Sequence, residues 1–238
     1  MVYLHGAGAP ATCGNAVQRD FLATRGFHFI GPCYAAAYGV GNCGAHIGDC
    51  RLEAFDAVDR TDVISIARPD SLEERIIRMV LHLQSVNPQG DWAYYLVDGQ
   101  PRWNRIIIAG ISHGASTAGL IARVRPVARA VLLSGPLDTG QAWLTQPTVT
   151  APDLLWGFSH TRDGQHNGHL QAFEVLQLPG APTRIEDAGA PWGGSQRLIT
   201  SVDAGNADQS HSATQAGPRT ADGGYVFAPV WEAMYGVD

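Results

Sequence analysis

Lysine is absent from this chain of 238 residues, and all sixteen of its basic residues are arginine. Without lysine the protein cannot form a Schiff base with a carbonyl substrate, and it cannot hold a nucleotide phosphate with the lysine of a P-loop. Basic residues are also outnumbered, since the formal net charge is −6 at pH 7 and no basic cluster occurs. This charge balance argues against nucleic acid as a partner.

Long apolar runs are lacking as well. No run reaches about 18 apolar residues, so we expect no segment to span a membrane. Hydrophobic residues make up 45% of the chain and charged residues 16%, a balance typical of a compact protein with a sizeable core. The length suits a single α/β domain over residues 1–238. Small and polar residues are frequent in residues 34–50 and 204–224, and we predict long loops at about 34–69 and 204–224.

Cysteine is scarce, and its four residues all lie in the first quarter of the chain. None of them forms a C-x-x-C motif, which argues against a zinc ribbon or a thioredoxin-type site. The glycine-rich loop between Cys43 and Cys50 can close a disulfide, with buried free thiols as the alternative. Cys13 and Cys33 form a second candidate pair, because both follow predicted strands. Disulfides indicate an oxidising compartment, and we predict a secreted or periplasmic location, although the chain contains no signal peptide.

Short apolar runs alternate with amphipathic runs along the chain. This alternation predicts a mostly parallel central sheet with helices on both faces. In such sheets the chemistry gathers at the carboxyl ends of the strands. The predicted strands are MVYL, GFHFIGP, RIIIA, ARAVLLSG, DLLWGFSH and QRLITSVD, and the predicted helices are residues 14–25, SLEERIIRMVLHLQSV (with Ser71 as its cap), STAGLIARV, HLQAFEVLQ and YVFAPVWEAMYG.

The stretch IIIAGISHGAS, residues 106–116, contains the motif Gly-x-Ser-x-Gly, with Ser112 between Gly110 and Gly114. Such a motif also arises by chance as an ordinary turn in a chain with 28 glycines. Here it follows a β-branched run and precedes a run with helical spacing, so a strand, a tight turn and a helix are predicted in succession. This is the arrangement of a nucleophile elbow, in which a serine occupies a strained turn and the glycines prevent collisions with the adjoining strand and helix.

Polar residues follow the predicted strands at their carboxyl ends. LHGAG ends the first strand, Ser112 follows RIIIA, HTRDGQH follows DLLWGF, and DQSHS follows the last strand. With nucleophile, acid and histidine in this order, the chain resembles the α/β-hydrolase family from LHGAG onward, with the family's usual first two strands missing before Met1. The resemblance implies an α/β-hydrolase fold, no cofactor and no metal, and a catalytic triad of Ser112, Asp163 and His211.

The same resemblance implies an oxyanion hole made by the backbone N–H groups of Ala7 and His113. A flexible strand exit is the alternative interpretation of HGAG. Histidines and an aspartate of HTRDGQHNGH recur every three residues, as in some metal sites, but Gly164 and Gly168 weaken a helix there and no distant carboxylate–histidine pair is evident. We therefore predict no zinc site. The other candidates are Asp138, Asp203 and Asp208 for the acid, and His160, His166 and His169 for the base.

These residues lead to a functional hypothesis. We expect a serine hydrolase that cleaves carboxylic esters through an acyl-enzyme intermediate, with a small-molecule or polymeric ester as substrate. Amidase, thioesterase and acyltransferase activities would use the same residues, and a polyester or acetylated-polysaccharide hydrolase is the second enzymatic alternative. The alternative from another class is a non-catalytic binding protein with the same fold.

Overall fold

The fold is built on a parallel β-sheet. The structure is a computed structural model that describes residues 1–8 and 13–237. Six strands form one sheet in the order β1-β4-β5-β6-β8-β7, and all of its pairs are parallel, while β2 and β3 form a separate antiparallel hairpin. The strands are β1 (Val2–Leu4), β2 (Leu96–Val97), β3 (Gln100–Pro101), β4 (Ile107–Ile111), β5 (Arg129–Leu133), β6 (Leu155–His160), β7 (Thr183–Arg184) and β8 (Arg197–Thr200).

Helices cover both faces of this sheet, as predicted. Successive side chains of a strand point to opposite faces, and β5 divides in this way. Ala130 and Leu132 pack in the apolar core beneath α3, α4, α5 and α6, whereas Val131 and Leu133 pack in the core beneath α1, α7 and α8. The helices are α1 (Ala16–Ala23), α2 (Val40–Cys43), α3 (Ile47–Asp56), α4 (Leu72–Val86), α5 (His113–Val124), α6 (His166–Val175), α7 (Ala207–Ala216) and α8 (Ala228–Tyr235).

Helix α4 forms where the apolar spacing predicts it. Ser71 is its N-cap, and the Ser71 side chain accepts a hydrogen bond from the backbone N–H of Glu74 at 3.3 Å. Ile76 and Val80, four residues apart, are buried on one face. The cap fixes where the helix starts, and the apolar stripe fixes which face packs on the sheet.

The loop predictions for 34–69 and 204–224 are wrong in part, because each segment contains helix. Helix α3 buries Ile47, Cys50 and Ala54, so its small residues form an apolar face. Helix α7 begins with a capping box, in which the side chains of Asn206 and Gln209 each accept a hydrogen bond from the other's backbone N–H at 2.9 Å. Richness in small residues therefore does not distinguish a loop from a closely packed helix.

The segment GFHFIGP was predicted to be a strand, but it forms no strand in the structure. It lies beside β1 through a single parallel bridge between Val2 and Ile30. Two backbone hydrogen bonds fix it there, from Tyr3 N–H to the Ile30 carbonyl at 2.9 Å and from Ile30 N–H to the Met1 carbonyl at 3.0 Å. Pro32 follows at once and has no N–H to extend the ladder.

Both candidate cysteine pairs form disulfides. Cys43 is joined to Cys50, which ties α2 to α3, and Cys13 is joined to Cys33. Among the described residues, none of the helices combines the length and the apolar stretch needed to cross a bilayer.

Removing the disulfide between Cys43 and Cys50, which closes the shorter loop, tests its contribution to stability. We expect Cys43→Ala/Cys50→Ala to lose about 2–3 kcal/mol of unfolding free energy, because the unfolded chain regains the entropy of the closed loop. Urea unfolding measures this loss, and mass spectrometry of a non-reduced digest of the wild type provides the control. Two free thiols in the digest, or an unchanged unfolding midpoint in the variant, would contradict the prediction.

Candidate functional site

The backbone at Ser112 has the strained turn that its motif predicts. Ser112 lies between the end of β4 and the first residue of α5, with φ 59° and ψ −121°. Side chains other than glycine rarely adopt a positive φ, and such strain is often found at functional sites. The Ser112 backbone N–H donates to the Leu133 carbonyl at 3.0 Å, so the neighbouring strand β5 fixes the turn.

The two glycines of the motif are required by close packing around this turn. A Cβ atom added to Gly114 would overlap the carbonyl oxygen of Leu4 and lie 2.7 Å from that of His5. A Cβ atom on Gly110 would overlap the backbone of Gly114. Helix α5 can therefore approach β1 and β4 only because both positions lack a side chain.

The structure brings Asp163 and His211 together. The Nδ1 atom of His211 lies 2.7 Å from Oδ2 of Asp163, and the backbone N–H of Gln165 donates to Oδ1 at 2.9 Å. Asp163 follows β6 and its side chain is 2% exposed, whereas His211 lies in α7 after β8 and its side chain is 24% exposed. One imidazole edge is thus held by a buried carboxylate while part of the ring remains accessible.

The protonation of this pair follows from its surroundings. Burial alone would raise the pKa of Asp163, but the hydrogen bonds from His211 and Gln165 and the nearby His169 outweigh it, and the pKa lies below its usual value. Asp163 is therefore ionised at neutral pH and can only accept a hydrogen bond. Nδ1 of His211 must carry the proton, so Nε2 of a neutral His211 is free to accept one.

Two consecutive residues at the end of β5 contact the segments that carry Ser112 and His211. Leu133 accepts the hydrogen bond from the Ser112 N–H, and the hydroxyl of the next residue, Ser134, donates to the His211 carbonyl at 2.7 Å. Within the described parts of the chain, the Ser112 hydroxyl itself forms no hydrogen bond with His211.

The loop after β1 lies against the same turn. A Cβ atom added to Gly6 would be 3.6 Å from Cβ of Ser112. On the other side of Ser112, His113 is the first residue of α5, and the first N–H groups of a helix have no acceptor within it. The predicted oxyanion donors Ala7 and His113 thus belong to the two segments that flank Ser112.

His5 orients the loop after β1, a role that the sequence analysis missed. Its Nδ1 lies 2.8 Å from the Gly6 carbonyl oxygen, and because that oxygen can only accept, Nδ1 carries the proton. The Gly6 carbonyl and the Ala7 N–H belong to one planar peptide and point in opposite directions. The Tyr34 hydroxyl donates to the His5 carbonyl at 3.0 Å. The imidazole and the backbone carbonyl of His5 are therefore both fixed, and together they orient the peptide that carries the Ala7 N–H.

Asp138, an alternative acid, is bound in a buried ion pair instead. Its two carboxylate oxygens lie 2.6 and 2.7 Å from the guanidinium of Arg51, and the Trp143 indole N–H donates to it at 2.8 Å. Arg51 also donates to the His113 carbonyl at 3.2 Å and to the Thr117 hydroxyl at 3.0 Å. Asp138 therefore supports the first turn of α5 through Arg51, a partner that the sequence analysis did not identify.

Asp203, Asp208 and His160, three of the other candidates, have different surroundings. Asp203 pairs with exposed Arg162 at 2.8 Å, and Asp208 lies exposed in the first turn of α7. Nε2 of His160 lies 2.7 Å from the Val202 carbonyl oxygen, and His113 is buried against Tyr38. Burial, together with the charge of Arg51 and the nearby His5, lowers the pKa of His113 to about 2. The chain over residues 1–8 and 13–237 contains no group of three histidine, cysteine or acidic side chains placed to hold a metal.

Compared with protein-family models and with curated proteins, the chain matches none. The geometry of its own residues therefore carries the functional conclusion.

A methyl group at Gly114 tests the close packing of the turn. We expect Gly114→Ala to lose about 1–3 kcal/mol of unfolding free energy or more, because α5 must move away from β1. Gly41→Ala is the matched control, since Gly41 is exposed in a helix and has open space around its Cβ position. Thermal and urea unfolding of both variants measure the difference, and equal stability of the two would refute the packing argument.

Proposed function

We propose that this protein is a serine hydrolase that cleaves carboxylic esters with Ser112, His211 and Asp163. The hydrogen bond of 2.7 Å between His211 and Asp163 carries the proposal. It lies at the carboxyl edge of a parallel sheet, where Ser112 also ends β4 in a strained turn. Such an edge is where α/β sheets place their chemistry.

Each residue has a defined step in the proposed reaction. The Ser112 oxygen attacks the ester carbonyl carbon while Nε2 of His211 takes the hydroxyl proton, and Asp163 stabilises the imidazolium that forms. The N–H groups of Ala7 and His113 stabilise the oxyanion of the tetrahedral intermediate. His211 then returns the proton to the leaving alcohol, and an acyl group remains on Ser112. Water removes that acyl group by the same steps, releasing the acid and restoring the serine.

An α/β-hydrolase fold is part of the proposal. A parallel sheet with helices on both faces, and a strained turn at Ser112 after the interior strand β4, support this fold. The preference for esters over amides or thioesters rests on the resemblance, because the three reactions use the same residues. We propose a small-molecule or polymeric ester as the substrate, with no nucleic acid partner and no cofactor.

We also propose that the protein works in an oxidising compartment, outside the cell or in a periplasm. The two disulfides support this location, because such bonds persist where thiols are not kept reduced.

Replacing the nucleophile is the direct test. We expect Ser112→Ala to fold normally and to lose at least about a thousandfold in kcat on p-nitrophenyl esters of graded chain length, because no other group forms the acyl-enzyme. Labelling with a fluorophosphonate should disappear as well. Ser201→Ala is the control, since Ser201 is an exposed serine on the loop after β8. A Ser112→Ala enzyme with a tenth of wild-type activity would exclude Ser112, and an unlabelled, inactive wild type would favour a binding protein.

The two buried aspartates should respond to the same substitution in different ways. We expect Asp163→Asn to lose at least about a hundredfold in kcat at neutral pH, because the amide no longer sets the His211 tautomer. Asp138→Asn should instead lose about 3–5 kcal/mol of unfolding free energy, because the charge of Arg51 stays buried without its partner. Kinetics at a temperature where both are folded, with urea unfolding alongside, separate the effects, and the reverse pattern would move the acid to Asp138.

A further inference from the structure

A buried serine hydroxyl behind Asp163 contacts two histidines. Ser159 lies in β6, and its Oγ is 2.8 Å from Nδ1 of His166 and 2.9 Å from Nδ1 of His169. Both histidines are on α6, at its first and fourth residues, so they share one helix face. Ser159 and His169 are fully buried, whereas His166 is partly exposed. The reaction proposed above uses none of these three side chains.

The surroundings of His169 decide which of its nitrogens carries the proton. Burial lowers the pKa of His169 to about 4, so the ring is neutral at neutral pH and has one N–H. Nε2 is buried and has no hydrogen-bond partner among the described residues. Nδ1 lies 2.9 Å from the Ser159 hydroxyl and 3.9 Å from Oδ2 of Asp163. A proton on Nε2 would be a buried N–H without an acceptor, which is unfavourable. A proton on Nδ1 is favoured by the nearby carboxylate of Asp163. Both effects therefore place the proton on Nδ1.

The proton on His169 Nδ1 then fixes the direction of the two hydrogen bonds that Ser159 forms with His169 and His166. The His169 Nδ1–H donates to the Ser159 oxygen, and the single hydrogen of that hydroxyl goes to Nδ1 of His166. His166 therefore keeps its own proton on Nε2. These hydrogen bonds hold His169 with its Nδ1–H edge towards Asp163. The last member of the series is the partly exposed ring of His166.

We propose that His169 is a positioning residue for Asp163, locked in place by Ser159 and His166; its catalytic consequence rests on the function proposed above. Oδ2, the oxygen that lies 3.9 Å from His169 Nδ1, is also the one that binds His211. The distance is too long for a hydrogen bond, so His169 acts on the carboxylate through the positive edge of its ring. Asp163, His211 and His166 are the charged or titratable groups that act on His169, and His160 acts on His166.

Two substitutions at His169 separate positioning from packing. Phenylalanine keeps a ring and removes the N–H, while the amide of asparagine can place an N–H near the Nδ1 position. We expect His169→Phe to lower kcat about tenfold with KM unchanged, and His169→Asn to recover most of that loss. His28→Phe is the matched control, because His28 is a partly buried histidine stacked on Trp92 away from this cluster. A folded His169→Phe enzyme with wild-type kcat, or a His169→Asn enzyme as impaired as His169→Phe, would overturn the proposal.

The Nδ1–H proton of His211 gives a readout that needs no activity. Its charge-assisted bond to Asp163 should produce a far-downfield proton NMR signal in the wild type. His169→Phe and Ser159→Ala should each shift or broaden this signal, and His169→Asn should restore it. The changes in this signal should not add in the double variant Ser159→Ala/His169→Phe, because both substitutions act through the same hydrogen bond between Ser159 and His169. An unaltered signal in folded Ser159→Ala and His169→Phe would refute the positioning role. An altered signal in both variants, together with a wild type that has no esterase activity, would refute only the proposed function.

Discussion

The contact of helix α5 with β1 and β4 is the constraint on which the candidate site depends. Gly110 and Gly114 permit it, because a Cβ atom at either position would overlap backbone. With this contact Ser112 has a positive φ, and the first turn of α5 lies beside the loop after β1. The strain of one residue is thus stabilised by the packing of three elements, as expected where a side chain must be presented rather than buried.

Two aspartates at the same edge of the sheet differ because of their partners. Asp138 faces a guanidinium whose charge is permanent, and its oxygens are occupied by Arg51 and Trp143. Asp163 faces the imidazole of His211, which unlike a guanidinium has a second ring nitrogen that can accept a proton. The first environment suits a fixed structural contact, and the second suits proton transfer.

Sequence patterns could predict the features that depend on local signals. The strand, tight turn and helix around Ser112, the capped helix α4, the parallel sheet and both cysteine pairs all have such signals, and the structure contains them. Helix α3 was not predicted, because a segment rich in small residues is also typical of a loop. The spacing of Ile47, Cys50 and Ala54 is nevertheless helical. The capping box at Asn206 and Gln209 was a readable signal for α7.

Local sequence patterns do not specify the side-chain contacts of the site. The Ser112, Asp163 and His211 positions were proposed from a resemblance, and only the contact between the last two is explicit in the structure. The pairing of Arg51 with Asp138 joins residues 87 apart in the chain. The orienting contact of His5 and the hydrogen bonds of Ser159 depend on side-chain rotamers, which a single sequence does not specify. Neither kind of information is contained in local periodicity.

The ion pair between Arg51 and Asp138 also constrains how the chain can fold. An arginine cannot shed its proton to enter the interior as a neutral group, and a lone buried charge is strongly unfavourable. Arg51 lies on α3 and Asp138 on the segment after β5, and the Arg51 guanidinium also contacts α5 at the carbonyl of His113 and the hydroxyl of Thr117. The pair therefore couples the docking of α3 on α5 to the presence of the segment after β5, because α3 docked alone would leave the charge of Arg51 buried without its partner.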